Sequence, residues 1–399
     1  MIGALLGFVV IALNLRIAVV ALAPVLADIE RTHHLSDGTA GLLTTLPLVC
    51  FGVFAFAAPW LAVRLGLHRL LILAMLVLVV GIALWLVPGV ASLFGGAIVA
   101  GAGIGIGNIV MPGIIKRDFA RQAHLVTGLY TTVVSISGAV AAGLTVPLAS
   151  ATGLGWRGAL ILWGIPALVA FVVSVLWARQ PQPQPAPLVR TGDDRRVHAV
   201  SIRALLADPV AWAVTAFMGL QSLGYYATVA WIPTLLQDHH LDAGQAGWML
   251  SFATFPAIIS SLTTPSIDRR LGGGPTMVLV ATGLCAVAYI GLLADPAPLI
   301  YLWMTFLGLG QGASFTLAIH YMVVRSPDHR HTGALSAMAQ GFGYLLACVG
   351  PAALGAVHSA TGGWTVPMAV LTAVLVLQVL VGIQASRNRH VLARHATAS

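Results

Sequence analysis

The chain has 399 residues, 58% of them hydrophobic and only 8% charged, a balance that excludes a soluble globular domain and fits a polytopic membrane protein. The formal charge of +8 invites a nucleic-acid partner, yet Lys and Arg fall in the loops in a pattern that membrane topology explains, so no nucleic acid is expected. Cys50, Cys285 and Cys348 lie far apart in apolar stretches and read as small core residues, not as disulfide or metal ligands.

The first apolar run, residues 2–26, is long enough to cross a bilayer as one helix and carries Arg16 in its midst. A charged side chain there costs about 3 kcal/mol on insertion scales, so such groups face a bundle interior or a watery cavity and mark substrate or ion pathways. Arg16 is therefore expected to receive an anionic or strongly polar substrate. The alternative is a structural Arg bonded to carbonyls of a neighbouring helix. No basic region precedes the run and no small-residue cleavage site breaks it, so this helix is expected to stay, with room for a short basic leader before Met1.

Further apolar runs follow at 40–63, 69–88, 91–113, 125–149 and 157–178, then at 207–236, 244–266, 275–293, 299–323, 333–356 and 364–384. The pattern predicts an all-α membrane protein of twelve transmembrane helices in two pseudo-symmetric six-helix bundles. The expected division is an N-terminal bundle over 1–178, a cytoplasmic linker over 179–206, a C-terminal bundle over 207–386 and a cytoplasmic tail over 387–399. The linker is Pro-rich at Gln180–Pro185 and charged from Arg190 to Arg196. With both termini cytoplasmic, the inside loops hold Arg64, Arg69, Lys116, Arg117 and Arg121 among many others, and the outside keeps only Arg31 and Arg157.

The halves repeat. Ala40-Gly41-Leu42-Leu43 leads to Pro59, Arg64 and Gly66 as Ala246-Gly247-Trp248-Met249 leads to Pro265, Arg270 and Gly272. His33-His34-Leu35 matches His239-His240-Leu241, and Ser150-Ala151-Thr152-Gly153 matches Ser359-Ala360-Thr361-Gly362. The paired histidines could suggest a metal, but duplication of a loop explains them better, and no metal or cofactor is expected. Six helices duplicated in parallel are the build of a secondary transporter that rocks around a midplane site.

The loop Leu61-Ala62-Val63-Arg64-Leu65-Gly66-Leu67-His68-Arg69 resembles the loop motif between helices two and three of the major facilitator superfamily, without its acidic residue. Within that superfamily the chain is most similar to the cyanate/nitroimidazole porter (CynX/NimT-like) family. The likeness rests on Asn14-Leu15-Arg16, Gly41 to Pro47, Asn108-Ile109-Val110-Met111-Pro112 with Lys116-Arg117, Thr127 to Thr131, Gly219-Leu220-Gln221-Ser222 with Tyr226 and Trp231, and Met338 to Tyr344. The resemblance implies transport by alternating access and implies that helices one, four, seven and ten line the path. It does not name the cargo.

On those helices, aligning Pro24 with Pro233 places Arg16 opposite Tyr225, and a guanidinium facing a phenol suits a small oxyanion or carboxylate. Gln221 lies one turn before Tyr225 on the same face. Asn14 is about 200° round the helix from Arg16, so one of them is expected to brace a neighbour while the other meets substrate. Asn108 follows the glycine run 101–107, which lacks nucleotide-binding spacing, and reads either as a cavity group or as an interhelical bond. Gln311, Ser314 and Phe315 share a face in helix ten, with His320 deeper. Every Asp and Glu falls in a predicted loop, linker or helix end, so a coupling proton would have to use His320, whose alternative is a packed histidine. Lys116 reads as an anion attractant at the inner mouth or as a topogenic charge. Tyr130, Gln340 and Tyr344 reach the edge of the path or glue helices together, and Gly350-Pro351 marks a bend.

The expected function is a porter for a small anionic or polar organic solute (cyanate-, carboxylate- or nitroimidazole-like), a plasma (inner) membrane monomer and not an enzyme, as no nucleophile–base pair stands within the spans. The alternatives are a drug efflux porter for neutral or weakly basic compounds, with Phe315 and Trp231 prominent, and a non-transporting membrane sensor.

Overall fold

The computed structural model describes residues 2–35, 37–179, 202–241, 243–294 and 299–393; most of the expected linker and the end of the tail lie outside them. Regular structure among the described residues is helical throughout. The first half comprises α1 (Ile2–Val20), α2 (Leu26–His33), α3 (Asp37–Ala55), α4 (Ala58–Leu65), α5 (Leu67–Leu84), α6 (Val90–Asp118), α7 (Ala123–Thr152), α8 (Gly155–Leu162) and α9 (Gly164–Arg179). The second comprises α10 (Ile202–Leu206), α11 (Pro209–Asp238), α12 (Ala243–Phe252), α13 (Thr254–Arg270), α14 (Thr276–Ala294), α15 (Ile300–Val324), α16 (His329–Ala347), α17 (Val349–Thr361) and α18 (Thr365–Ala385).

Among the described residues ten helices are long and apolar enough to cross a membrane, and the pair α3–α4, bent by 55°, makes an eleventh. The helix α11, with 30 residues, has the length of a twelfth; Gln221, Ser222, Tyr225, Tyr226 and Thr228 interrupt its apolar run.

Five runs expected as single helices are broken, and each break stands at the same spacing before a proline. The helices α1, α3, α8, α12 and α16 end at Val20, Ala55, Leu162, Phe252 and Ala347. Each of these residues stands four before a proline: Pro24, Pro59, Pro166, Pro256 and Pro351. A proline has no N–H for the carbonyl four residues back, and its ring crowds that carbonyl. Pro47, Pro112, Pro147, Pro233 and Pro265 remain inside helices, so proline permits the break without compelling it. The break at Cys348 falls at the bend expected around Gly350-Pro351.

Two compact units result. One holds Met1–Arg121, Ile136–Ser201 and Asp328–Ala337; the other holds Gln122–Ser135, Ile202–Pro327 and Met338–Ser399. In the first, 89% of the membrane-spanning window of α6 is buried, and in the second 61% of that of α15, against 33% for α18, so α6 and α15 are central to their units. Glycine lets neighbours approach α6 and α15. A Cβ on Gly103 would sit 2.6 Å from the Ala74 carbonyl oxygen of α5, and one on Gly310 would sit 2.5 Å from that of Ala281 in α14. Gly101 and Gly308 meet Pro47 and Ala253 in the same corresponding way.

The duplication read from the sequence recurs in backbone conformation. His34 and His240 both take positive φ, at 51° and 70°, as do Gly66 and Gly272, and Gly153 and Gly362. The paired histidines therefore recur because both loops turn through the left-handed region, where His is tolerated better than branched residues. A tryptophan pins each of these two repeated regions in the same manner: Trp156 Nε1 donates to Thr32 Oγ1 (3.2 Å), and Trp364 Nε1 donates to Asp238 Oδ2 (2.7 Å).

Candidate functional site

In the first unit, Asn14 and Arg16 have different surroundings. Asn14 is buried, and its Nδ2 donates to the Val10 carbonyl one turn earlier (2.9 Å). Arg16 is half-buried and sits one turn before the break that Pro24 opens. Its shaft lies against Gly138 of α7, where a Cβ would stand 3.5 Å from Cγ and 3.8 Å from Nε. Leu15 packs on Gly107 of α6, one residue before the buried Asn108, so α1 and α6 bring Asn108 and Arg16 onto contacting helices.

In the second unit, Gln221 is buried and folds onto its own helix, with Nε2 donating to the Met218 carbonyl (3.1 Å) and to Ser222 Oγ (2.6 Å). Tyr225 is half-buried and stands edge-on to Tyr226 at 5.2 Å between ring centres. Gln311 Nε2 donates to Thr228 Oγ1 (3.0 Å), which is bonded in turn to the Tyr289 hydroxyl (3.0 Å), a polar chain from α15 through α11 to α14. Phe315 is half-buried beside it on α15, and Ser314 accepts from Gln378 Nε2 of α18 (3.2 Å). Tyr130 and Gln340 are 1% exposed and Tyr344 is 6% exposed. Thr228, Tyr289 and Gln378 belong to this polar set but carry no sequence signal apart from being polar in apolar runs.

His320 is buried, and it has an acidic neighbour that the sequence reading did not provide. The expected helix over 244–266 runs on to Arg270, which carries Asp268 onto α13; Asp268 is 2% exposed and its Oδ2 lies 3.9 Å from His320 Nε2. Asp268 stands at a helix end, as expected, but in a last turn that continues past the point where hydropathy falls and buries the carboxylate beside α15. Likewise α6 continues past 113 to Asp118, which pairs with Arg117 (2.6 Å) and lies 3.4 Å from His68 of α5.

Two other charges prove structural. Arg325 donates to the carbonyls of Ala385 and Ser386 and to Asn388 Oδ1, closing the C-terminal end of α18, where a cation also meets the negative end of the helix dipole. Asp328 caps α16 by accepting from the amides of Arg330 and His331. Burial would raise its carboxyl, but the side chain and amide of His331 and the amide of Arg330 hold it below the ordinary carboxylate range. Lys116 faces this carboxylate, which supplies a local partner for a charge read as an anion attractant or a topogenic residue.

The sequence matches the model of the Major Facilitator Superfamily over residues 4–351, with a second match over 219–393. It is 34% identical to the 2-nitroimidazole transporter of Escherichia coli (strain K12), over 96% of this chain and 95% of that one. It is 29% identical to the cyanate transport protein CynX of the same organism, over 90% of this chain and 91% of that one. The backbone resembles the crystal structure of the Major Facilitator Superfamily transporter FucP in the outward conformation, with a TM-score of 0.74 at 15% identity, covering 97% of this chain and 98% of that one.

Proposed function

We propose, for a chain that belongs to the Major Facilitator Superfamily and is a multi-pass membrane transporter, that its cargo is a small anionic or polar organic solute held at Arg16. The observation that carries the reading is a half-buried arginine, Arg16, in the middle of an apolar helix, with its shaft against Gly138 of α7. An Arg fork binds planar anions and nitro or carboxylate oxygens bidentately, whereas a neutral cavity does not. The names of the two relatives support it: one is named for a nitroheterocycle and the other for a small linear anion, cyanate. Asn108, on the α6 helix that contacts α1, is the polar group of the same unit that we assign to orienting the solute.

The same proposal takes the transporter as a monomer in the plasma membrane with both termini cytoplasmic, moving solute by alternating access. It divides the chain into bundles over 1–178 and 207–386. The excess of Lys and Arg on one set of loops supports the orientation. The test is uptake of radiolabelled cyanate and 2-nitroimidazole into proteoliposomes of the wild type and of Arg16→Gln and Arg16→Lys. Uptake is expected in the wild type, loss in Arg16→Gln and partial retention in Arg16→Lys. Equal uptake by all three proteins would remove Arg16 from the site.

A further inference from the structure

The helices α13 and α15 present matching polar stripes to one another. On α13, Ser261, Thr264 and Asp268 recur at three- and four-residue spacing, and all are at most 2% exposed. On α15, Gly312, Thr316 and His320 recur every four residues, with Thr316 fully buried and His320 5% exposed. The helices touch where Gly312 meets Ala257, and Ser261 Oγ donates to the Gly312 carbonyl (3.4 Å). Thr316 continues the line by donating to Thr131 Oγ1 of α7 (2.9 Å). The stripes end at Asp268 and His320, 3.9 Å apart.

Asp268 differs from the structural carboxylates of the same chain. Asp208 and Asp328 each accept two amide bonds at a helix start, and Asp118 is held by Arg117. Asp268 Oδ1 is buried with no hydrogen-bond partner, although an unsatisfied buried carboxylate is among the costlier groups a fold can carry. Its distance to His320 is longer than a hydrogen bond, so the pair is poised and not closed. Other ionisable groups stand nearby among the described residues. The Tyr321 hydroxyl is buried without a partner. Arg325 acts on Asp268 by charge, its N–H groups being spent on three neutral oxygens. Arg269 and Arg270 follow on α13, and the first faces His124 of α7.

We infer that Asp268 and His320 form a proton-exchange site that ties the transport cycle to protonation, an inference that rests on the transport reading above. With Arg325 cationic, Asp268 ionised and His320 neutral, the cluster has no net charge. A proton taken from water onto the carboxylate or the imidazole makes it singly positive, and its release to water restores neutrality. No covalent bond other than O–H or N–H changes. Because one member sits on α13 and the other on α15, a shift between these helices that closes or widens the gap changes the affinity for the proton.

The test uses the full chain in proteoliposomes. Infrared difference spectra between acidic and alkaline buffer are expected to show a carboxyl C=O band that comes and goes with pH, is lost in Asp268→Asn and has its midpoint moved in His320→Gln. In flux measurements with cyanate and 2-nitroimidazole as probes, both variants are expected to lose accumulation driven by an imposed pH gradient while keeping solute exchange without a gradient. Asp268→Glu, which keeps a carboxyl, should retain both band and coupling and controls for loss of fold. An unchanged band in Asp268→Asn, or gradient-driven accumulation in that variant equal to wild type, overturns the inference. If the wild type moves neither probe, the solute reading fails, and the infrared titration still decides the pair.

Discussion

The close approach of α13 to α15 rests on Gly308, and replacing it by alanine measures how closely. The added Cβ would stand 2.1 Å from the Ala253 carbonyl oxygen, 2.8 Å from Pro256 Cγ and 3.0 Å from the Ala253 carbonyl carbon. A carbon–oxygen contact is comfortable at about 3.3–3.6 Å, so the helices must part by roughly 1 Å. Two of the three neighbours are backbone atoms at the α12–α13 break and cannot rotate away. The cost should therefore sit at the upper end of overpacking penalties, about 3 kcal/mol. Gly283 of α14 is the control, since it is exposed with nothing within 4 Å of a Cβ, and alanine there should gain about 0.5–1 kcal/mol from helix propensity. Thermal unfolding of the purified protein in detergent, followed by tryptophan fluorescence, should separate the two variants in opposite directions from wild type. Gly308→Ala melting with the wild type would refute the packing described for these helices.

Other outcomes follow from single contacts. Gly138→Ala should leave solute uptake near wild type, because its Cβ meets Arg16 at ordinary contact distance, whereas Gly138→Leu should displace the guanidinium and abolish uptake. Trp364→Phe should destabilise more than Trp156→Phe, since the first loses a bond to a carboxylate and the second a bond of about 1 kcal/mol to a hydroxyl; unfolding midpoints compare them. Asp328 has its folded pKa held below the ordinary carboxylate value of about 4, so its contribution is complete above that pH and is lost as pH falls toward the folded value. Melting curves across the acid range should therefore show a shallower acid decline for Asp328→Asn than for wild type.

Hydropathy and the repeated loops made the superfamily fold legible, because a bilayer demands long apolar helices and duplication leaves its spacing behind. The helix breaks were less legible. Pro24, Pro59, Pro166, Pro256 and Pro351 each follow a helix break by four residues, but Pro47 and Pro112 sit inside unbroken helices, so proline alone does not mark a break. Asp268 was hidden for a different reason. Hydropathy falls where the charges begin, while the hydrogen-bonded helix continues to Arg270 and folds its carboxylate under α15. Of the polar residues singled out, Arg16 was legible because a cation in an apolar run is costly. Gln221 was legible as polar, but not as bonded back onto its own helix.

The claim that Arg16 receives the solute is tested most directly by ligand-induced stabilisation, which needs no assumption about the direction of transport. Wild type and Arg16→Gln should be melted side by side with cyanate, benzoate and 2-nitroimidazole. Stabilisation of the wild type by at least one of these, lost in Arg16→Gln, is the expected result. Equal stabilisation of both proteins, or of neither by any of the three, would contradict the role given to Arg16.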